Sequence, residues 1–224
     1  MSDLIQSQRK TPRERFRAQI RDEIKQIALR QLAQLGPAGV SVNAIGKELG
    51  VSGPALYRYF TSRDELLTEL VIDAYDDLAS TLKAALATTS KRAPGGRFEA
   101  LARAYRAWAI AQPHRYRLLY GPPLPGYDAH ARRLIDAANA SMDLLVEVLP
   151  ADPGDTPPTG ALASQASDWA TDRGLQADAA TAVRALVTWS RLHGFVGLEI
   201  NGNYASMGID PDALFEIELS ALAG

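Results

Sequence analysis

The side chains able to do chemistry in this 224-residue chain are narrowed first by exclusion. It contains no cysteine, so disulfides, zinc fingers and thiol nucleophiles are absent together, and a reducing, cytoplasmic setting is the simplest expectation. His114, His130 and His193 show neither His-x-x-x-His nor carboxylate-paired spacing, so no metal site is expected. Gly50-Val51-Ser52-Gly53-Pro54 lacks the last glycine of a Gly-x-Ser-x-Gly nucleophile elbow. There is no Gly-rich dinucleotide loop and no Walker sequence, so neither an enzyme nor a bound cofactor is expected. What remains is binding chemistry. Ser41, Asn43, Ser52, Gly53, Pro54, Ala55, Tyr57, Arg58, Tyr59 and Arg63 crowd hydroxyl, amide and guanidinium donors, with small apolar surfaces between them, into a short stretch.

Charge points to the same stretch. Residues 1 to 63 hold 11 Lys+Arg against 5 Asp+Glu, whereas residues 64 to 224 hold 13 against 21, giving the overall −2. A basic N-terminal quarter on an acidic body suggests that only the N-terminal part meets a polyanion. The first residues, MSDLIQSQRKTPRERFR, lack the apolar core of an export signal and read as a flexible basic arm. No apolar run reaches the roughly 18 to 20 residues of a membrane-spanning helix.

The elements that must position these groups are helices. Thr11-Pro12-Arg13-Glu14 is a capping box with proline at the first helical position. Phe16, Ile20, Ile24, Ile27, Leu32 and Leu35 then recur mostly along one face, up to Gly36-Pro37-Ala38-Gly39. Ser41 caps a short helix with Val42, Ile45 and Leu49 inward, and Gly50 falls where a left-handed residue turns the chain. Ser52 caps a third helix over 53 to 59, which buries Leu56 and Phe60. Ser62-Arg63-Asp64-Glu65 opens a long fourth helix with Leu67, Leu70, Val71, Ala74 and Leu78 along one side. Further helices are expected near 97–111, 114–120, 128–149, 158–173, 178–200 and 211–222, with an exposed loop from Pro150 to Gly160 and no strand. The fold class is therefore all-α.

Two short helices joined by a glycine-containing turn form a helix-turn-helix, whose second helix enters the DNA major groove while the first crosses the backbone. The run VSVNAIGKELGVSGPALYRYFTSRDELL resembles the DNA-binding signature of the tetracycline-repressor (TetR) family, through Ser41-Val42, Ile45, Gly50-Val51-Ser52, Leu56-Tyr57, Phe60 and Ser62 to Leu67. The resemblance implies that Ser41, Ser52, Tyr57, Tyr59 and Arg63 touch phosphates, positioning the protein without specifying sequence. Gly46 stands where the family usually has alanine, and Gly53 where many members carry a polar side chain. Base reading then leans on Asn43 toward an adenine edge and on Pro54 and Ala55 toward a thymine methyl.

The body also carries familiar stretches. Ala107-Trp108-Ala109, Gln112 through Gly121, Pro125-Gly126-Tyr127, and Trp189 through Glu199 resemble a C-terminal domain type found in a branch of such regulators. The resemblance implies domains at 1–62 for DNA binding and 63–224 for effector binding and dimerisation. It implies a homodimer, a double-stranded DNA operator, an unknown small-molecule effector and no membrane partner. Tyr105, Trp108, Tyr116, Tyr120, Trp169, Trp189 and His193 are the candidate effector contacts, although the same aromatics also suit a plain helical core. The last two long helices are the expected dimer surface. There Gly194 and Gly197 either admit a partner helix or relieve crowding within one subunit. Two rival classes are a helical enzyme acting through the aromatic body and an interaction module whose basic end grips an acidic protein.

Overall fold

The structure, a computed structural model, describes residues 11–89, 94–121, 132–149 and 157–223; the basic arm before Thr11, the start expected for the helix near 128 and most of the Pro150–Gly160 loop lie outside them. Every regular element among the described residues is helical. The chain forms two compact units that divide within one helix, between Val71 and Ile72.

In the first unit α1 spans Pro12–Leu35, α2 spans Val42–Glu48, α3 spans Gly53–Leu56, and α4, Arg63–Thr89, begins. The capping box at Thr11 is formed in full, its hydroxyl accepting from the Glu14 amide while Glu14 accepts from the Thr11 amide. The core gathers Ile24, Ile27 and Leu32 from α1, Ile45 from α2, Leu56 and Phe60 around α3, and Leu66, Leu67 and Leu70 from α4. Both ends of the α1 stripe stand clear of it, with Phe16 61% and Leu35 65% exposed. Periodicity marks a face, but only the part opposite another element is covered. Gly50 adopts φ +69°, the left-handed conformation its place at the end of α2 requires.

In the second unit α4 continues, followed by α5 (Pro94–Ala111), α6 (Pro113–Tyr120), α7 (Arg132–Val148), α8 (Gly160–Asp172), α9 (Ala179–Ile200), α10 (Asn203–Ser206) and α11 (Pro211–Ala223). Here α9 is central, packing against α5, α7, α8, α10 and α11. Asp178 caps it by accepting from the Thr181 amide at 2.8 Å, and these hydrogen bonds hold the Asp178 carboxyl below its usual range. The short α10 escaped the sequence pattern, because a single turn is too brief to show a period.

Candidate nucleic-acid interface and ligand site

The turn between α2 and α3 is set by contact, not by propensity. The Val51 amide donates to the Gly46 carbonyl at 2.9 Å, and a Cβ at Gly46 would lie 3.1 Å from both the Val51 carbonyl oxygen and a Leu56 methyl. Gly46 thus lets α2 and α3 approach closely, which offsets its poor helix propensity. Ser41 caps α2 through the Ala44 amide, while its own amide donates to Gln31 Oε1 of α1 at 2.9 Å.

The third helix is shorter than its sequence suggests. It ends at Leu56, Tyr57–Tyr59 form a turn, and Ser52 makes no side-chain cap bond. Two arginines four apart on α1 complete it: the Arg17 guanidinium donates to the Arg58 carbonyl at 3.1 Å, and Arg21 donates to the Tyr59 carbonyl. Carbonyls at a helix end lack partners within the helix and carry the negative end of its dipole, so guanidinium donors suit them. Arg21 also stacks on the Phe60 ring, 4.1 Å from its centroid, and lies 3.6 Å from Glu69 of α4. Arg17 and Arg21 were not singled out by the sequence reading; their spacing on a basic helix was the available signal.

This bracing leaves a donor-rich surface. Ser41, Asn43, Ser52, Pro54, Tyr57 and Arg58 are exposed, and Gly53, Ala55 and Tyr59 are half-buried. Tyr57 is 49% exposed, whereas Leu56 and Phe60 on either side are buried, which separates the ring facing outward from the two side chains that build the core. Asn43 lies across the start of α3, so a Cβ at Gly53 would come within 3.0 Å of its Oδ1. Arg63 is half-buried, its Nε donating to the Val40 carbonyl at 2.9 Å, so this side chain also ties the start of α4 to the segment before α2. Ser62 accepts from the Glu65 amide at 3.0 Å, and Glu65 accepts from the Thr61 amide and hydroxyl.

The structure brings only some of the candidate effector contacts together. Trp189 and Tyr116 flank His193 as stacked rings, with centroids 5.5 and 5.6 Å from it. Tyr116 Oη lies 2.8 Å from His193 Nδ1 and donates to the His193 carbonyl at 3.0 Å. Burial pushes the Tyr116 phenol up to about 12, with a hydrogen bond from Tyr105 opposing, and burial lowers the His193 imidazole from its ordinary value. Trp108 is buried, and its indole N–H donates to Asp77 at 2.8 Å, a carboxylate that also receives Arg115 at 2.7 Å. Trp169 lies elsewhere, beside the alanine cluster of Ala166, Ala170 and Ala182 and under the Arg173 guanidinium. Ala182 is 11 residues before His193 on α9, about 16 Å along the helix. Tyr120 groups with the first unit.

The outer face of α9 carries Val187, Gly194 and Leu198 at helical spacing, exposed, and α11 adds Ala213 and Ile217. A Cβ at Gly194 would meet nothing, whereas one at Gly197 would meet the Tyr116 hydroxyl at 3.4 Å. One glycine therefore opens outward and the other relieves crowding inside.

Two family models divide the chain: that for bacterial regulatory proteins of the tetR family matches residues 26–70, and that for the tetracyclin repressor-like C-terminal domain matches residues 98–222. The chain belongs to the TetR family. It is 37% identical over 214 residues to the HTH-type transcriptional regulator Rv1816 of Mycobacterium tuberculosis, covering 92% of each chain. A second regulator of that organism, Rv0681, is 31% identical over 195 residues, covering 87% of this chain and 76% of its own. The solved regulatory protein SCO4313 matches with a TM-score of 0.79 and 43% identity, over 95% of this chain and 98% of its own. The protein is thus a TetR-family helix-turn-helix transcriptional regulator, of a family that binds DNA and dimerises and is not one of enzymes. Among the described residues no helix is long and apolar enough to cross a membrane, and no cluster of three or more metal-ligating side chains occurs.

Proposed function

We propose that this TetR-family chain works in the cytoplasm as a homodimeric repressor, reading a palindromic operator with residues 1–62 and releasing it when residues 63–224 bind a small molecule. The observation that carries this reading is the exposed face of Ser41, Asn43, Ser52, Pro54, Tyr57 and Arg58, braced from behind by Arg17 and Arg21. Hydroxyl and guanidinium groups supply phosphate contacts, Arg63 at the edge of this face among them. Asn43 and the small apolar surfaces of Pro54 and Ala55 meet base edges.

Dimerisation follows from the apolar stripe of Val187, Leu198 and Ile217 on α9 and α11. At 52%, 46% and 67% exposed, these side chains have a strong incentive to be covered by a second copy. A dimer spaces its two recognition helices about 34 to 36 Å apart, or a multiple of that, to meet successive major grooves on one side of the duplex. A ligand that favours another spacing weakens DNA binding, and DNA weakens ligand binding by the same factor.

Ile217→Arg tests the arrangement. The variant is expected to sediment as a folded monomer and to lose at least about a hundredfold in affinity for the selected operator, because the two half-sites are no longer linked. A monomer that keeps native operator affinity would remove the dimeric part of the reading.

A further inference from the structure

The hydrogen bonds that close the recognition turn also fix where the start of α1 lies. Arg21 donates to the Tyr59 carbonyl, and Arg17, one turn earlier, donates to the Arg58 carbonyl at 3.1 Å, so the first turns of α1 run alongside the turn and lead on past Arg58. Arg13 comes four residues before Arg17, on the same face and about 6 Å further along the helix. Arg13, Arg17 and Arg58 are all exposed. The recognition face therefore continues onto α1, ahead of residue 26, where the matched tetR-family stretch begins.

The charge along this edge is not cancelled. Among the described residues Arg13 has no ion pair or hydrogen bond, and Arg17 meets only the Arg58 carbonyl, which leaves its charge intact. The acid next to Arg13 in sequence, Glu14, is bent back onto the Thr11 amide. Asp22 and Glu23 lie on other faces of α1, where Asp22 is 3.8 Å from Lys25 and Glu23 accepts from Gln19. Arg15 is exposed too, but it points about 200° round the helix from Arg13 and Arg17, on the face of Asp22.

We propose that Arg13 is a further DNA-binding residue, meeting a duplex phosphate next to those held by Tyr57 and Arg58 and making α1 part of the DNA-facing surface. A guanidinium with all its donors free matches a phosphate in both charge and shape. Such a contact adds affinity without adding sequence preference. The proposal rests on the DNA-recognition reading and extends its surface to a second element.

The test compares the full chain with Arg13→Gln, Arg13→Lys and Arg15→Gln by fluorescence anisotropy across a salt series. Each is titrated with the operator selected by the native chain and with an unrelated duplex of equal length. Arg13 has no bond to lose among the described residues, so the native Tm is expected in its variants. Because a dimer carries Arg13 twice, Arg13→Gln is expected to weaken both duplexes by about tenfold and to lower the log–log salt slope by about 1.8. Arg13→Lys is expected to restore most of both. Arg15→Gln removes the same charge from the opposite face and is expected to stay within about twofold of native affinity. Native affinity in Arg13→Gln, an equal loss in Arg15→Gln, or a loss confined to the operator overturns the proposal. A native chain that selects no operator removes DNA recognition and this contact together, whereas an operator bound equally well by Arg13→Gln removes the contact alone.

Discussion

Arginine does different work in the two units. In the first, Arg17 donates to a carbonyl, which accepts its hydrogen bond without cancelling its charge, and Arg58 is exposed on the recognition turn. In the second, arginine after arginine meets a carboxylate: Arg97 with Glu147, Arg103 with Glu216, Arg106 with Glu199 and Asp212, Arg173 with Asp143, and Arg191 with Glu218. The first unit has ties of its own, Arg21 to Glu69 and Arg30 to Glu48, but it also turns arginine outward, whereas in the second unit the side chain mainly ties helices together. Composition alone shows a basic quarter on an acidic body; the structure shows several of the body's acids holding its own cations. That difference separates a surface built to meet a polyanion from one built to keep its shape.

The largest effect is expected where the ties are most buried. Arg106 and Glu199 are only 13% and 12% exposed and bond through two parallel hydrogen bonds, and Arg106 also reaches Asp212 and stacks on Phe215. Removing one partner leaves the other uncompensated, so Arg106→Met is expected to cost about 3 kcal/mol, lowering the Tm by roughly 6 to 12 °C in a calorimetric scan. An unchanged Tm would mean that this network is ornamental and that α11 is held by packing alone.

Arg58→Ala addresses the other side of the comparison. Because the dimer loses one phosphate contact in each half-site, the variant is expected to weaken operator binding by at least about tenfold and reduce the log–log salt slope by about 1.8, with little change in stability, as measured by anisotropy across a salt series. A lowered Tm with an unchanged slope would place Arg58 among the structural arginines instead.

Gly53→Ala is subtler. The added methyl presses on Asn43 Oδ1, a movable side-chain atom, so stability is expected to change by under about 1 kcal/mol while base preference shifts several-fold at one operator position. Retained preference at every position would exclude Asn43 from base reading.

The smallest effect concerns His193. Burial depresses its imidazole below the ordinary value of 6.5, so the unfolded chain binds the proton more readily. The stability it contributes is present above 6.5 and is lost as pH falls through the folded value. His114 shifts in the same direction, through burial and then Arg115. Melts between pH 7.5 and 5 are expected to show a declining Tm that is shallower in His193→Gln, and an identical slope would show that His193 is not its source.

Much of this fold was readable because helix ends carry local chemistry. Thr11 to Glu14, Gly50 and Ser62 to Glu65 each sit within three residues of the groups they satisfy, so the sequence itself displays the partnership. The donor-rich stretch from Ser41 to Arg63 was legible for the same reason. What escaped depends on partners far along the chain. Nothing near Tyr57 announces that α3 will stop at Leu56 and be closed by Arg17 and Arg21, some 38 to 41 residues earlier. Trp169 looks like the other large aromatics until α8 and α9 pack through their alanines and carry it away from His193.

The most direct test of DNA recognition by the exposed face of the first unit is selection from a random-sequence duplex pool at near-physiological salt, by the native chain and by a Tyr57→Ala, Arg58→Ala variant of equal Tm. One palindromic site enriched by the native chain and lost by the variant is the predicted result. No enriched site for either, or the same site for both, would contradict it.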